Sequence, residues 1–235
     1  MVVGISKDTI KLLAKVLDDE HLCGDVITYG VQGVEITCHE LIKLLDESNV
    51  KYRLLDNREI KTDAKTQYGD TLAQDTFFKT LGCRKVDSID LHEDEHPSVL
   101  LDLNKPVPEN LHGQYDVVWD GGTMEHCLNV KEVLFNCVRL LRKGGMVVHN
   151  NPVSGSINHG FYQFCPTLYF DFYLRNGFGE MEMMIQFGNR YFDYSSDLMG
   201  ADLLNQAGLI LFLQGRKETL RKLLFQIRVI ISNDG

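Results

Sequence analysis

The stretch from Gln114 to Pro152, QYDVVWDGGTMEHCLNVKEVLFNCVRLLRKGGMVVHNNP, constrains this chain more than any other. Tyr115 to Trp119 is a short apolar run closed by the turn-forming Asp120-Gly121-Gly122, the pattern of a buried strand in a parallel sheet. Asn129 is placed to cap a helix, with Glu132 in the returning position of a capping box. Val130, Val133, Leu134, Cys137, Val138, Leu140 and Leu141 then follow at helical spacing. Arg139, Arg142 and Lys143 crowd the last turn, where the helix dipole favours cations, and Gly144-Gly145 is expected to end the helix before an apolar strand from Met146 to Val148. In such a unit the strands are parallel, the helix crosses over, and functional groups gather in the crevice at the carboxyl ends of the strands. Asp120 to His126 and His149 to Asn151 are expected to open there.

The flanking sequence extends this pattern into an α/β architecture. Ser6 or Asp8 can cap a first helix bearing Ile10, Leu13, Val16 and Leu17, closed by Gly24. Asp25 to Gly30 reads as a strand, and Thr37 with Glu40 as a capping box for a helix running to about Asp46. Between them the turn YGVQG carries Gly30 and Gly33, and a turn after a first strand is where glycines let a nucleoside approach the backbone closely. Val50 to Leu55 is expected to be a strand and Asp56 to Gly69 an exposed loop, so the chain is one domain over residues 1–235 with an insertion around 50–70. A helix over Thr71 to Leu81 ending at Gly82, a strand from Val86 to Leu91 and another from Val99 to Asp102 follow. Later come a helix from Pro166, strands at Met181 to Phe187 and Leu209 to Gln214, and between those strands a helix over Asp197 to Gln206. Thr219 to Ile231 is amphipathic, with Leu220, Leu223, Leu224 and Ile227 in register to pack on the sheet or to join two subunits.

The segment YDVVWDGGTMEH, a helix ending RLLRKGG, and a strand followed by Asn-Pro resemble the fourth strand, fourth helix and fifth strand of class I S-adenosylmethionine-dependent methyltransferases. The resemblance is strongest from Thr71 to Phe178, and HGFYQF followed by Pro is similar to a bacterial subset of that family. It implies a Rossmann-like sheet, mostly parallel with an antiparallel last strand, and helices on both faces. It implies S-adenosylmethionine as cofactor, met by Tyr29, Gly30, Gln32 and Gly33 after the first strand. The family's denser glycine run and preceding acidic residue are replaced here by YGVQG. Asp90, followed by Leu91, would accept both ribose hydroxyls, a role for which Asp56 competes. Asp102 and Leu103 would flank the adenine, and Asp120, Gly121 and Gly122 the methionine portion.

Methyl transfer from a sulfonium is an in-line displacement for which positioning supplies much of the rate, and a hydroxyl acceptor profits from a base. His126, His149 and His159 are the candidate bases, with His159 first, and Tyr162 and Gln163 are expected beside it, whereas Phe161, Phe164, Tyr169 and Phe172 are expected in the core at helical or alternating spacing. Each histidine is equally well explained as a buried, hydrogen-bonded structural residue. The activity expected is O- or N-methylation of a small-molecule acceptor; the alternative is a catalytically inactive protein of the same fold that works as a binding or scaffolding partner. A nicotinamide oxidoreductase would prefer a full GxGxxG and a hydride-transfer pair.

The formal net charge of -9 disfavours a nucleic-acid substrate, although Arg216, Lys217, Arg221, Lys222 and Arg228 cluster near the C-terminus. No apolar run is long enough to span a bilayer and the N-terminus lacks a signal pattern, so a cytoplasmic location is expected. The six cysteines form no CxxC pair and are expected to be free thiols. The polar run from His92 to His96 is expected to be a solvated loop, and no metal is assigned, because ligands so close along a chain seldom converge on one ion.

Overall fold

The computed structural model describes residues 4–17, 24–63, 71–187, 190–193 and 209–217. Its centre is a parallel array formed by β1 (Gly24–Tyr29), β4 (Cys83–Asp90), β5 (Val99–Leu100), β6 (Tyr115–Asp120) and β7 (Leu141–Ser154). To this are added β8 (Phe178–Phe187), β9 (Arg190–Asp193) and β10 (Leu209–Lys217), giving the order β5-β4-β1-β6-β7-β10-β8-β9. β10 runs antiparallel to both β7 and β8. The order reverses between β1 and β6, which makes the carboxyl ends of these two strands the switch point where such sheets bind ligands.

Alternation along the strands sends side chains to two separate cores. Val26, Val117, Trp119 and Val148 pack on one face with α1 (Lys7–Leu17), α2 (Cys38–Glu47) and α3 (Gln74–Thr80), through Ile10, Leu41, Phe77 and Phe78. Ile27, Ile89, Val118 and Val147 pack on the other with α4 (Val130–Leu140) and α5 (Pro166–Arg175), through Val133, Leu134, Cys137, Tyr169 and Tyr173. The doubly covered, mostly parallel sheet with one inserted antiparallel strand is the architecture expected.

Local chemistry accounts for the element ends. Ser6 Oγ accepts from Thr9 N at 3.1 Å to start α1, and Thr37 and Glu40 form the complete capping box of α2. At α4 only half of the expected box is made: Asn129 accepts from Glu132 N, but the Glu132 carboxylate turns to Arg139. Gly82 takes a left-handed φ of 91° just past α3.

Several expectations are corrected. Val50 to Leu55 joins no sheet; Arg53 N donates to Thr80 O at 2.8 Å, Val50 and Tyr52 pack on the core under it, and Leu54 is 73% exposed. Thr71 and Leu72 form β3, paired with β2 (Thr62–Asp63), and the helix starts only at Gln74. Gly24 opens β1, with φ 97°, because a side chain there would meet Asp116. Gly144-Gly145 lies inside β7, where the register with β6 shifts. Phe161, expected in the core, is 64% exposed. The hairpin strand β9 had no counterpart in the pattern. The expected helix over Asp197 to Gln206, the amphipathic Thr219 to Ile231, the Asp56 to Gly69 loop beyond Asp63, and Cys23 lie outside the described residues. Cys38, Cys83, Cys127, Cys137 and Cys165 are free.

Candidate functional site

The carboxyl ends of β1, β4 and β5 enclose a cavity of about 200 Å³. Gly30, Asp90, Leu91, Asp102 and Leu103 line it, joined from the β6 side by Thr123, His126 and Cys127. It is smaller than a typical cleft of about 300–1,000 Å³, so it suits one part of an extended ligand.

Gly30 bends away from β1 with φ 73°, and a Cβ there would stand 3.0 Å from Thr123 Oγ1 and 3.7 Å from Asp90 Oδ2. Thr123 Oγ1 donates to Tyr29 O at 2.6 Å, and Gln32 Nε2 donates to the same carbonyl at 2.7 Å, so the β1 and β6 turns are stitched together. Asp90 caps the same turn: Oδ2 accepts from Val31 N at 3.1 Å and Oδ1 from His92 N at 2.9 Å. A carboxylate has about four acceptor positions, so each oxygen keeps one for an incoming donor. Asp56, the competing candidate, sits in an exposed turn, where it takes Arg58 N at 3.0 Å, away from this cavity.

Asp102 Oδ1 is occupied by the backbone and side-chain amides of Asn104, at 3.0 and 2.8 Å, while Oδ2 stands 3.5 Å from Lys105 Nζ. These amides, with a smaller contribution from Lys105, hold its carboxyl below the usual range. The loop is fixed from below by Asn136 of α4, which is fully buried, donates to Leu103 O and Lys105 O, and accepts from Val107 N at 3.0 Å. Sequence reasoning missed Asn136, whose one signal is a polar residue on the apolar face of its helix.

The remaining cofactor candidates fall into two groups. Tyr29, Gln32 and Gly33 do not line the cavity. Tyr29 is buried with its hydroxyl on Val133 O at 3.1 Å, and Gly33 bridges to Ala73 and to Ile5 N. Gln32 lies over Gly121, leaving no room there for a Cβ. Asp120 does not line the cavity either. It is fully buried; Oδ1 accepts from Thr123 N at 2.9 Å and Met124 N at 3.2 Å, and Oδ2 from His149 Nδ1 at 2.8 Å and Asn151 Nδ2 at 2.9 Å. It anchors the turn whose Gly122 takes φ 91°.

Beneath that turn runs a buried polar network that sequence reasoning did not assemble. His149 reaches from Asp120 to Tyr173 Oη, 2.5 Å from Nε2. Asn151 Nδ2 donates to Asp120 and also to Glu125 Oε2 at 3.0 Å, and Tyr169 Oη donates to Asn151 Oδ1 at 2.9 Å. Burial alone would lower His149, but the Asp120 carboxylate outweighs it and holds the imidazole up at about 9. Burial would raise Asp120, and the His149 bond brings it below its ordinary value instead. His149 and Asp120 therefore form a buried ion pair at neutral pH. Glu125, fully buried, is pushed up to about 8 by burial and then by the Asp120 charge, and so holds a proton at neutral pH.

His159 stands at the edge of this network, Nε2 at 3.3 Å from Glu125 Oε1, its ring edge-on to His126 with centroids 4.9 Å apart. Burial, then the neighbouring His126, lower its pKa. The HGFYQF loop is held there because Phe161 N donates to Glu125 O at 2.8 Å and because Gly160 lets it come so close: a Cβ would be 2.8 Å from Glu125 O and 2.9 Å from its Cγ. Tyr162 turns aside to donate to Leu128 O at 3.0 Å, and Gln163 accepts from Ser156 N. Leu128, Ile157 and Phe161 are exposed around this corner. His126 thus belongs both to the cavity and to the His159 cluster, while His149 lies beneath them.

No protein-family model and no curated protein matches the chain. Solved structures similar to it include an S-adenosylmethionine-dependent methyltransferase from Thermotoga maritima, 12% identical over 90% of this chain and 89% of that one, with a TM-score of 0.44. Another is Burkholderia thailandensis 1,6-didemethyltoxoflavin N1-methyltransferase with bound 1,6-didemethyltoxoflavin and S-adenosylhomocysteine, 13% identical over 91% and 80%, with a TM-score of 0.45. A third, Haemonchus contortus phosphoethanolamine N-methyltransferase 2, is 9% identical over 91% of this chain and 53% of that chain, with a TM-score of 0.48.

Proposed function

We propose that the chain is an S-adenosylmethionine-dependent methyltransferase acting on oxygen or nitrogen of a small-molecule acceptor. The observation that carries this reading is the cavity at the switch point, where Gly30 exposes backbone, Asp90 keeps two acceptor positions and Asp102 keeps Oδ2. That set fits an adenosine: two adjacent ribose hydroxyls for Asp90, the exocyclic amine for Asp102, and the apolar Leu91 and Leu103 against the base. Gly122 would border the methionine portion, and Gly121 would do so only with the Gln32 side chain moved aside. The cofactor supplies an electrophilic methyl group; the protein's part is to hold the acceptor in line and take its proton.

His159 is the group for that proton. Its lowered pKa leaves the imidazole neutral near pH 7, and protonated Glu125 behind it can share a hydrogen bond without competing for the proton. His126 borders both compartments, and Tyr162 with Leu128, Ile157 and Phe161 forms a half-apolar rim suited to an acceptor carrying a hydrophobic part. Among the described residues no lysine or arginine lines the cavity, in keeping with a small molecule and not a nucleic acid as acceptor. Among the described residues no helix is long and apolar enough to cross a membrane.

A second reading, a binding protein that keeps the fold, is favoured by Gln32, whose side chain fills the space over Gly121. Calorimetric titration with S-adenosylmethionine and S-adenosylhomocysteine separates the two. Micromolar binding of both, reduced about tenfold or more in Asp90→Ala, supports the methyltransferase reading. Absence of heat and of thermal stabilisation with either compound refutes it, and full affinity in Asp90→Ala refutes the ribose assignment.

A further inference from the structure

We propose that Glu125, His126 and His159 form a binding site for a divalent first-row transition ion, zinc foremost. One carboxylate oxygen and one nitrogen from each imidazole lie within 4.8 Å of one another. Around a tetrahedral ion with bonds of about 2.0–2.2 Å, ligand atoms stand roughly 3.3–3.6 Å apart. Glu125 Oε1 and His159 Nε2, at 3.3 Å, already span such an edge. The third ligand closes by rotation of the exposed His126 ring, which stands edge-on to His159 with centroids 4.9 Å apart.

The surroundings are those of a supported site. Metal-ligating carboxylates are commonly held by a second hydrogen bond, and Glu125 Oε2 receives Asn151 Nδ2 at 3.0 Å, while Asn151 is itself fixed by Tyr169. Among the described residues Glu125 Oε1 faces His159 Nε2, and no lysine or arginine pairs with this fully buried carboxyl. A bound ion would take the place of the proton on this carboxyl and supply the positive charge that no neighbouring side chain provides. The ligands also come from two structures that the fold brings together: the turn after β6 supplies Glu125 and His126, and the loop after β7 supplies His159. That loop is pinned to Glu125 by the Phe161 amide and by the contact that Gly160 permits.

The donor set selects the ion. Two imidazoles and one carboxylate suit zinc, iron(II) or cobalt(II), whereas magnesium prefers an all-oxygen shell and retains its waters. Three protein ligands leave a position open to solvent or to an acceptor oxygen. Spacing along the chain conceals the site because His159 lies far from the adjacent Glu125-His126 pair. The site does not depend on the methyltransferase reading, since an ion can bind whether or not a cofactor does. If both hold, the ion takes the His159 lone pair, so stripped and loaded protein differ in which group meets the acceptor.

The test uses the full chain, stripped with EDTA and titrated with zinc chloride in the absence of any cofactor. One ion per chain is expected, with cobalt(II) in its place giving the visible absorption of a tetrahedral site. His126→Ala, a surface change that the fold tolerates, should weaken zinc binding about tenfold or more, and His159→Ala likewise. Cys165→Ser and Cys38→Ser should leave it unchanged, and millimolar magnesium should not compete. No binding, or binding unaltered in both histidine variants, overturns the proposal; so does loss of binding on removing either cysteine. Effective competition by magnesium overturns the assignment to a transition ion. Nucleoside binding in the same preparations reports separately on the methyltransferase reading.

Discussion

Replacing His149 with Phe should destabilise the protein by about 3–5 kcal/mol, because it strands the buried Asp120 carboxylate without its cation. Linkage gives the same scale. The imidazole rises from 6.5 when unfolded to about 9 when folded, and at about 1.4 kcal/mol per pH unit this is worth roughly 3 kcal/mol. The sign follows from which state holds the proton. Between pH 6.5 and about 9 the folded protein retains a proton that the unfolded chain has lost, so raising the pH through this window favours unfolding. The contribution is complete below 6.5 and gone above about 9. Asp120, lowered in the fold, works in the opposite direction: its share is present above its unfolded value near 4 and is lost as acid titrates it. Urea unfolding followed through Trp119, the single tryptophan and fully buried, measures both effects. The wild type should lose stability from pH 6.5 to 9, the variant should show a flatter profile, and the double change His149→Phe with Asp120→Asn should recover part of the loss at pH 7. A loss below about 1 kcal/mol in His149→Phe would refute the buried ion pair, as would equal slopes in variant and wild type.

Gly30→Ala forces an L-residue to φ 73° and sets a methyl group 3.0 Å from Thr123 Oγ1; a loss of about 1–2 kcal/mol in urea unfolding is expected, with weaker S-adenosylhomocysteine binding by calorimetry. Gly160→Ala drives a methyl group against Glu125 and should cost about 1–3 kcal/mol while raising proteolytic cleavage between Ser156 and Gln163; unchanged stability and cleavage would show that the loop does not rest on Glu125.

What could be seen in the sequence was local. Strand β6, helix α4, strand β7 and the Thr37–Glu40 box announce themselves because alternation, helical spacing and capping are set within a few residues. Asp90 could be preferred to Asp56 because a strand and a proline-bearing loop follow it; Asp90 lies on the cavity and Asp56 in a surface turn. Val50 to Leu55 misled because β-forming residues become a strand only beside a free edge, and this segment lies against α3 instead. Phe161 misled because aromatic density marks burial only where a neighbouring element covers the ring. The Asp120–His149–Asn151–Glu125 network was invisible for a different reason. Its bonds join residues far apart in the chain, and a histidine or asparagine at a strand end looks the same whether it meets water, substrate or another side chain. Asp120 was accordingly expected to touch a ligand, whereas in the fold it is fully buried and four N–H groups of the protein occupy its two oxygens.

The place of β10 bears on how the molecule is made. Residues 209–217 occupy the middle of the sheet, between β7 and β8, and hydrogen-bond to both. As the chain leaves the ribosome, β7 and β8 emerge long before the strand that separates them, each with one bare edge and competent to pair wrongly. The sheet can therefore close only once residues 209–217 have been made. A chain cut at residue 208 would present a strand-shaped gap, and the strand that fits it would be found on any intact copy nearby.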